Sequence, residues 1–168
     1  MSVVEFRHVY TIQIGGLVYD NDSGEAESGE GELLNKYFSV NSEIVEQYEL
    51  ESVVRPLIGR SAHAHCVYFR DSDWEENVDA GKSAYLIDFP EIKYEDYPDK
   101  HKEYIRRGEE KGENKGYKCS IRDRWYRIPS VWVPDAFFLR RNNLYPKFVL
   151  NCCEAVSTDT LHRIKFND

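Results

Sequence analysis

The sequence predicts a single α+β domain built on a twisted, mainly antiparallel or mixed β-sheet with a few short helices. Segments rich in β-branched and aromatic residues recur along the chain, whereas few segments have the apolar spacing of a helix. The composition is 41% apolar and 14% aromatic, which excludes a disordered chain despite 31% charged residues. A length of 168 residues suits one core, so we assign residues 1–168 to one domain.

The first quarter of the chain predicts two strands, a loop and a helix. SVVEFRHVYTIQI is a predicted strand, and Gly15-Gly16 ends it. Residues 19–32 are acidic, glycine-rich and almost without apolar side chains, so we expect a mobile loop. NKYFSV predicts the second strand. Asn41 or Ser42 can then cap a helix over SEIVEQYEL, in which apolar residues share one face.

The middle of the chain predicts a turn, two strands and a second helix. VVRPLIG is turn-like around Pro56. Residues 64–69 and 83–89 are predicted strands, separated by the acidic segment DSDWEENVDAG. The polar residues 97–112 carry an apolar stripe, which predicts an exposed helix that ends at a glycine.

The last third predicts a β-hairpin and a final strand. WVPDAFFLRR and LYPKFVLN are apolar runs joined by Asn142-Asn143, a pair that tolerates left-handed backbone. This arrangement places Arg140 and Arg141 at the tip of the hairpin. LHRIKF is the predicted last strand.

The formal charge of -8 conceals two halves of opposite sign. Residues 1–99 hold 7 Lys and Arg against 21 Asp and Glu, whereas residues 100–168 hold 15 against 9. Such asymmetry is typical of a surface that faces a polyanion. The same asymmetry also fits two halves that attract each other within one fold.

The chain lacks the sequence marks of a membrane or secreted protein. No apolar run reaches the roughly 18 residues of a membrane span, and the N-terminus lacks the features of a signal peptide. The four cysteines have no disulfide-framework spacing, so we predict reduced thiols and a cytoplasmic location. The abrupt beginning and end of the sequence lead us to expect a piece of a larger protein.

Residues 122–127, RDRWYR, combine three arginines with two aromatic rings. Arginine binds phosphate and guanine edges, and exposed rings stack on unpaired bases. Each of these cations alone fits a solvated surface, but the cluster favours contact with an anion. The residues predicted to bind nucleic acid are Lys111, Lys115, Lys118, Arg122, Arg124, Arg127, Arg140, Arg141, Asn142, Asn143 and Lys147. If Trp125 and Tyr126 lie on a strand, one of them belongs to the core.

Two other groups of residues have the types that bind metal ions, but neither forms a complete metal site. His63 and His65 would point the same way on a strand, but no further ligands are evident. Asp88, Glu91 and Lys93 have the residue types of a metal-dependent nuclease, but Pro90 interrupts the strand that should carry them. No nucleophile motif, P-loop or glycine-rich cofactor turn is present. We therefore predict no catalytic residue, no metal site and no cofactor in this chain.

Five short motifs follow one another in a fixed order along residues 8–166. They are Asn35–Phe38, Tyr104–Glu109, Arg122–Tyr126, Phe148–Asn151 and Thr158–Ile164. Their patterns are N-x-Y/F-F, Y-I-x-x-G-E, R-x-x-W-Y, F-x-x-N and T-D/N-x-x-H-x-I/L. In this order the chain resembles the C-terminal half of class I (gamma-type) N6-adenine DNA methyltransferases of restriction-modification systems. The acidic stretch at 19–32 departs from the resemblance, because that family has a short turn there.

The resemblance implies a target-recognition domain, which holds double-stranded DNA while a separate domain methylates the adenine. That catalytic domain, with its D/N/S-P-P-Y/F motif and its S-adenosylmethionine site, is absent from this chain, so the resemblance implies a non-catalytic piece of a site-specific methyltransferase. It also implies that Trp125 and Tyr126 belong to the scaffold and that bases are contacted by neighbouring loops, at Arg140–Asn143 and Lys111–Lys118. An alternative of another class is a protein-interaction module that works through its acidic half.

Overall fold

The computed structural model describes residues 10–14, 17–20, 26–28, 36–115, 119, 122–139, 147–157 and 161–166. Three α-helices lie within these ranges: α1 (Ser42–Gln47), α2 (Asp71–Asp79) and α3 (Asp99–Glu110). The strands are β1 (Tyr10–Ile14), β2 (Leu17–Asp20), β3 (Ala26–Ser28), β4 (Ser39–Val40), β5 (Val54–Ile58), β6 (Tyr68–Phe69), β7 (Tyr85–Ile87), β8 (Ala136–Leu139), β9 (Phe148–Asn151), β10 (Val156–Ser157) and β11 (Leu161–Phe166).

The strands form two sheets. The larger sheet has seven strands in the order β3-β2-β1-β11-β8-β9-β6, and all neighbours in it are antiparallel except β6 and β9. The smaller sheet has four strands in the order β10-β5-β7-β4, with β10 parallel to β5. The predicted α+β class with a mainly antiparallel, mixed sheet is therefore confirmed.

Two clusters of buried apolar side chains form the core, and β5 contributes to both. Leu57 belongs to the cluster that joins the small sheet to α1 and α3, while Ile58 belongs to the cluster around β8 and β9. Both side chains are fully buried. Successive residues of a strand point to opposite faces, so one strand can supply both clusters.

Several predicted elements are confirmed in detail. The Asn41 side chain accepts a hydrogen bond from the Ile44 amide (3.3 Å) and caps α1. Helix α3 is followed by Gly112, whose φ of 76° is the left-handed conformation that favours glycine after a helix. Strands β8 and β9 pair antiparallel, as the hairpin predicted, and the tip residues 140–146 lie outside the described residues. The predicted strands at 83–89 and at the C-terminus correspond to β7 and β11.

The prediction of a turn around Pro56 was wrong, because Pro56 lies within β5, opposite Tyr85. The amide of Leu57 donates to Ala84 in the direction of β7. Backbone N–H groups alternate between the two sides of a strand, so the position of Pro56 faces the other side. There β10 pairs only with Leu57 and Ile58. The N–H group that proline lacks would have had no partner in β10, so the strand tolerates it.

The acidic segment between the predicted strands is helix α2, which the sequence did not predict. Its first turn is acidic, and the Asp73 carboxylate accepts a hydrogen bond from the Arg70 amide (2.8 Å). The Trp74 ring donates to Ala84 O (2.8 Å), and buried Asn77 donates to His63 O (3.2 Å). Tertiary contacts of two side chains thus stabilise a helix without an apolar stripe. The predicted strand at 64–69 is reduced to β6.

The acidic segment at 19–32 is described only in part. Strands β2 and β3 pair antiparallel, with Tyr19 opposite Ala26, so both ends of the described portion belong to the large sheet. Strand pairing uses backbone N–H and C=O groups, and every residue except proline carries both, so it does not require apolar side chains. The remaining residues of 19–32, the residues before β1 and Gly15-Gly16 lie outside the described residues, and the mobility of the segment stays a prediction.

Candidate nucleic-acid interface

Three of the five sequence motifs meet at Tyr37. Its ring centroid lies 4.7 Å from that of Tyr104 and 4.9 Å from that of Trp125. Gly108 of α3 faces the same rings, and a Cβ at this position would lie 2.3 Å from Trp125 Cη2 and 2.5 Å from Tyr37 Cε2. The glycine of Y-I-x-x-G-E therefore leaves space for the rings of Tyr37 and Trp125, which belong to two other motifs.

Hydrogen bonds connect the same aromatic residues. The Tyr104 hydroxyl donates to Tyr37 O (2.6 Å), and the Tyr37 hydroxyl donates to Tyr104 O (3.3 Å). Burial raises the pKa of both hydroxyls well above the usual range, so they stay neutral at physiological pH. The Trp125 indole donates to the Glu109 carboxylate (3.2 Å). Trp125 and Tyr126 lie in a turn rather than on a strand, and both pack inward as scaffold residues.

The two late motifs also have structural roles. The Asn151 amide donates to Pro134 O (2.7 Å) and Ala155 O (2.9 Å), and its Oδ1 accepts from the Ala155 amide (3.0 Å). His162 stacks on Phe138, with centroids 6.0 Å apart and ring planes 15° apart. These contacts organise β8, β9 and β11.

The three arginines of residues 122–127 contact protein groups. Arg122 donates to Trp125 O (3.3 Å) and Arg127 O (3.0 Å), and Arg124 donates to Ile92 O. Arg127 forms an ion pair with Glu91 (3.3 Å), which joins the basic half of the chain to the acidic half. This ion pair is an attraction between the two halves within the fold, and a DNA contact of these arginines stays a prediction.

The other predicted binding residues lie in several places. Lys147 donates to Ala64 O and His65 O, both at 2.7 Å, and so connects β9 to the segment before β6. Lys111 ends α3 and is exposed, and Lys115 is exposed four residues later. Lys118 and Arg140–Asn143 lie outside the described residues.

A cleft of about 440 Å³ lies between β4 and the C-terminal half of α3. We call it the α3 cleft. Its polar lining residues include Lys36, Ser39, Ser83, Arg107, Lys111 and Glu113. The Arg107 guanidinium lies over the rings of Tyr48 (5.4 Å) and Tyr104 (5.9 Å). Within the described part of the chain, the side chains of Lys36 and Lys111 form no ion pair.

Three cations line the α3 cleft: Lys36, Arg107 and Lys111. Of these, only Lys111 was among the residues that the sequence predicted to bind nucleic acid. Lys36 was missed, and Arg107 was not among the predicted binding residues, although both lie inside the recognised motifs. Arg107 follows Tyr104 by three positions, which places both on one side of a helix. Lys36 is the residue before Tyr37, and the ring of Tyr37 packs on Tyr104 of α3. A prediction that the two motifs pack together would have placed all three cations at one cleft.

Neither metal constellation is assembled in the described residues. His63 is buried in a short 3-10 turn while His65 is exposed, and burial lowers the pKa of His63. Asp88 pairs with Arg55 at 2.6 Å, and Glu91 pairs with Arg127. Among these residues there is no group of three or more His, Cys, Asp or Glu that could hold a metal ion.

All four cysteines are free, and burial raises the pKa of the Cys153 thiol to about 12. Within the described ranges, no helix is both long and apolar enough to cross a membrane.

The comparisons with known proteins identify a family. No match was found among curated proteins or among solved structures. The family model described as "Type II methyltransferase M.Eco57I, C-terminal domain" matches residues 31–168, a range that includes all five motifs. This match confirms the resemblance to the C-terminal part of a restriction-modification methyltransferase. The chain belongs to the family of the C-terminal domain of the type II methyltransferase M.Eco57I.

Proposed function

We propose that this domain is the target-recognition domain of its methyltransferase and holds double-stranded DNA. The observation that carries the proposal is a set of cations beside α3. Lys36, Lys111 and Lys115 are exposed and form no ion pair with the described residues. Cations without protein partners can neutralise phosphates, which supplies most of the sequence-independent affinity for DNA.

In this proposal the chemistry belongs to another domain of the enzyme. That domain is a gamma-type N6-adenine methyltransferase domain, which binds S-adenosylmethionine and the target adenine. The present chain binds neither and only positions the duplex for methyl transfer in a restriction-modification system. The family supports this division, because its description is that of a C-terminal domain within a larger methyltransferase.

Replacing Lys115 by alanine should weaken DNA binding with a reduced dependence on salt. Each phosphate contact contributes about 0.9 to the slope of log K against log salt, so the slope should flatten by roughly 1. The measurement is fluorescence anisotropy on the enzyme that contains this domain, across a salt series. Lys118→Ala should behave in the same way. Lys93→Ala, at an exposed lysine without an ion pair among the described residues, is the control.

Replacing Arg140 or Arg141 should have a different signature, since we assign these residues to base contacts. Each substitution by alanine should reduce affinity for the methylated site by about 1–3 kcal/mol and leave binding to a scrambled duplex nearly unchanged. The same anisotropy titration with both duplexes tests this. Equal losses of affinity for the two duplexes would show that these arginines contact phosphates and not bases.

A second function, contact with another protein domain, is favoured by one observation. Val67, Tyr68, Phe148 and Leu150 are exposed on neighbouring segments around β6 and β9, and Tyr68 lies opposite Leu150. Groups of exposed apolar side chains often mark protein contacts. The acidic helix α2 begins directly after β6. If the substitutions at Lys115, Lys118, Arg140 and Arg141 all leave DNA binding unchanged, this interaction function replaces the first.

A further inference from the structure

We propose that the α3 cleft binds one phosphate group of the DNA backbone, shared by Lys36, Arg107 and Lys111. The inference rests on the proposed function and assigns a discrete site within it. The volume of about 440 Å³ falls in the range of roughly 300–1,000 Å³ that is typical of ligand pockets. A sugar-phosphate unit of DNA therefore has room to enter, rather than only to touch the rim.

The three cations come from opposite walls of the cleft. Lys36 precedes β4, whereas Arg107 and Lys111 lie on the last turn and at the end of α3. The guanidinium of Arg107 is held against the faces of Tyr48 and Tyr104, which restricts the directions in which it can point. Lys36 and Lys111 have no ion-pair partner among the described residues, so their charges remain available to a ligand.

The aromatic residues in the wall of the cleft add no negative charge. The hydroxyls of Tyr37 and Tyr104 donate to backbone oxygens, and burial keeps them neutral. Glu113 is the one carboxylate among the described residues that line the cleft, against three cations. Three cations and one carboxylate thus line the cleft in the described part of the chain, although the whole chain carries a formal charge of -8.

The polar groups of the cleft suit phosphate better than a carboxylate or a neutral ligand. The hydroxyls of Ser39 and Ser83 supply donors beside the cations. A phosphate group offers several oxygens to such a set, and its hydrogen bonds with Arg and Lys are charge-assisted. A phosphate could come from DNA or from a free phosphorylated molecule, and we infer DNA because Lys115 continues the row of exposed lysines beyond Lys111.

The test uses the 168-residue chain and the variants Lys36→Gln, Lys111→Gln and the double variant. Lys93→Gln, at an exposed lysine outside the cleft, is the matched control. Binding of inorganic phosphate is followed by NMR through the amide signals of Ser39 and Gly108. Binding of a short duplex is followed by fluorescence anisotropy across a salt series.

A shared phosphate predicts a non-additive result for DNA. Since both lysines would act on one phosphate that Arg107 also contacts, the double variant should flatten the salt slope by no more than about 1 in total, with Lys93→Gln silent. Flattening by about 2 would mean two separate phosphates and would overturn the shared site. Glu113→Gln should strengthen phosphate binding, because it removes the opposing charge; weaker binding would also overturn the assignment.

The two readouts separate this inference from the proposed function. If the duplex binds and the cleft variants leave both its affinity and its salt slope unchanged, the cleft assignment is wrong and the proposed function stands. If inorganic phosphate binds through Lys36 and Lys111 but the duplex does not bind, the DNA assignment and the proposed function both fail. The cleft would then be a site for a free phosphorylated molecule.

Discussion

Substituting Gly108 by alanine should lower the free energy of unfolding by about 1–3 kcal/mol, the usual range for overpacking a core. In an open helix the same change would stabilise by about 1 kcal/mol, because alanine has the higher helix propensity. Here the added Cβ would lie 2.3 Å from Trp125 and 2.5 Å from Tyr37. Neither ring can move freely, since Trp125 is hydrogen-bonded to Glu109 and Tyr37 to Tyr104.

Urea denaturation of the 168-residue chain measures this effect. The double variant Gly108→Ala/Trp125→Phe should lose less than the sum of its single variants, because the smaller ring vacates part of the space. Gly81→Ala is the control: Gly81 has a φ of 67°, but apart from its chain neighbours no atom lies within 4 Å of the added Cβ. Its effect should be limited to the left-handed backbone, about 1–2 kcal/mol. A stabilised Gly108→Ala would show that the rings yield easily.

The second large effect is expected at Asn151. Asn151→Ala should reduce the free energy of unfolding by about 2–3 kcal/mol, because it leaves three backbone groups without their side-chain partner. These groups belong to Pro134, before β8, and to Ala155, before β10. The loss should therefore loosen the connection between β9 and its neighbours, which thermal or urea unfolding would detect.

Asn151→Asp separates the loss of a donor from the loss of an acceptor. An aspartate can still accept from the Ala155 amide, but its second oxygen would face the carbonyl oxygens of Pro134 and Ala155. This environment disfavours the charged form and raises the pKa of the carboxyl in the folded state. The variant should thus be most stable at low pH and should lose stability as pH rises through that pKa. Equal stability of Asn151→Ala and the unmodified chain would contradict the assigned role.

Local signals predicted the elements whose stability is local. A capping asparagine marks the beginning of α1, and a glycine marks the end of α3. The Asn-Asn pair between apolar runs predicted the pairing of β8 with β9. Each signal lies within a few residues of the structure that it specifies, so a single sequence is sufficient.

Elements that depend on distant contacts were missed. Helix α2 is held by Trp74 and Asn77 through backbone groups of other segments, so its own sequence has no apolar period. Lys36 and Lys111 line opposite walls of the α3 cleft. They lie far apart in the chain and come to one cleft only because Tyr37 packs on α3. For the same reason the sequence did not show that Arg124 contacts Ile92 O and that Arg127 pairs with Glu91.

The parallel pairing of β10 with β5 has a consequence for biosynthesis. Leu57 pairs with Val156, so the small sheet is completed only after the chain as far as β10 has left the ribosome. Until then β5 has an open edge, and open edges invite pairing with other chains and aggregation. Pro56 lies on that edge and offers no N–H group to an incoming strand. The residue that misled the turn prediction therefore protects the open edge of β5 until β10 has been made.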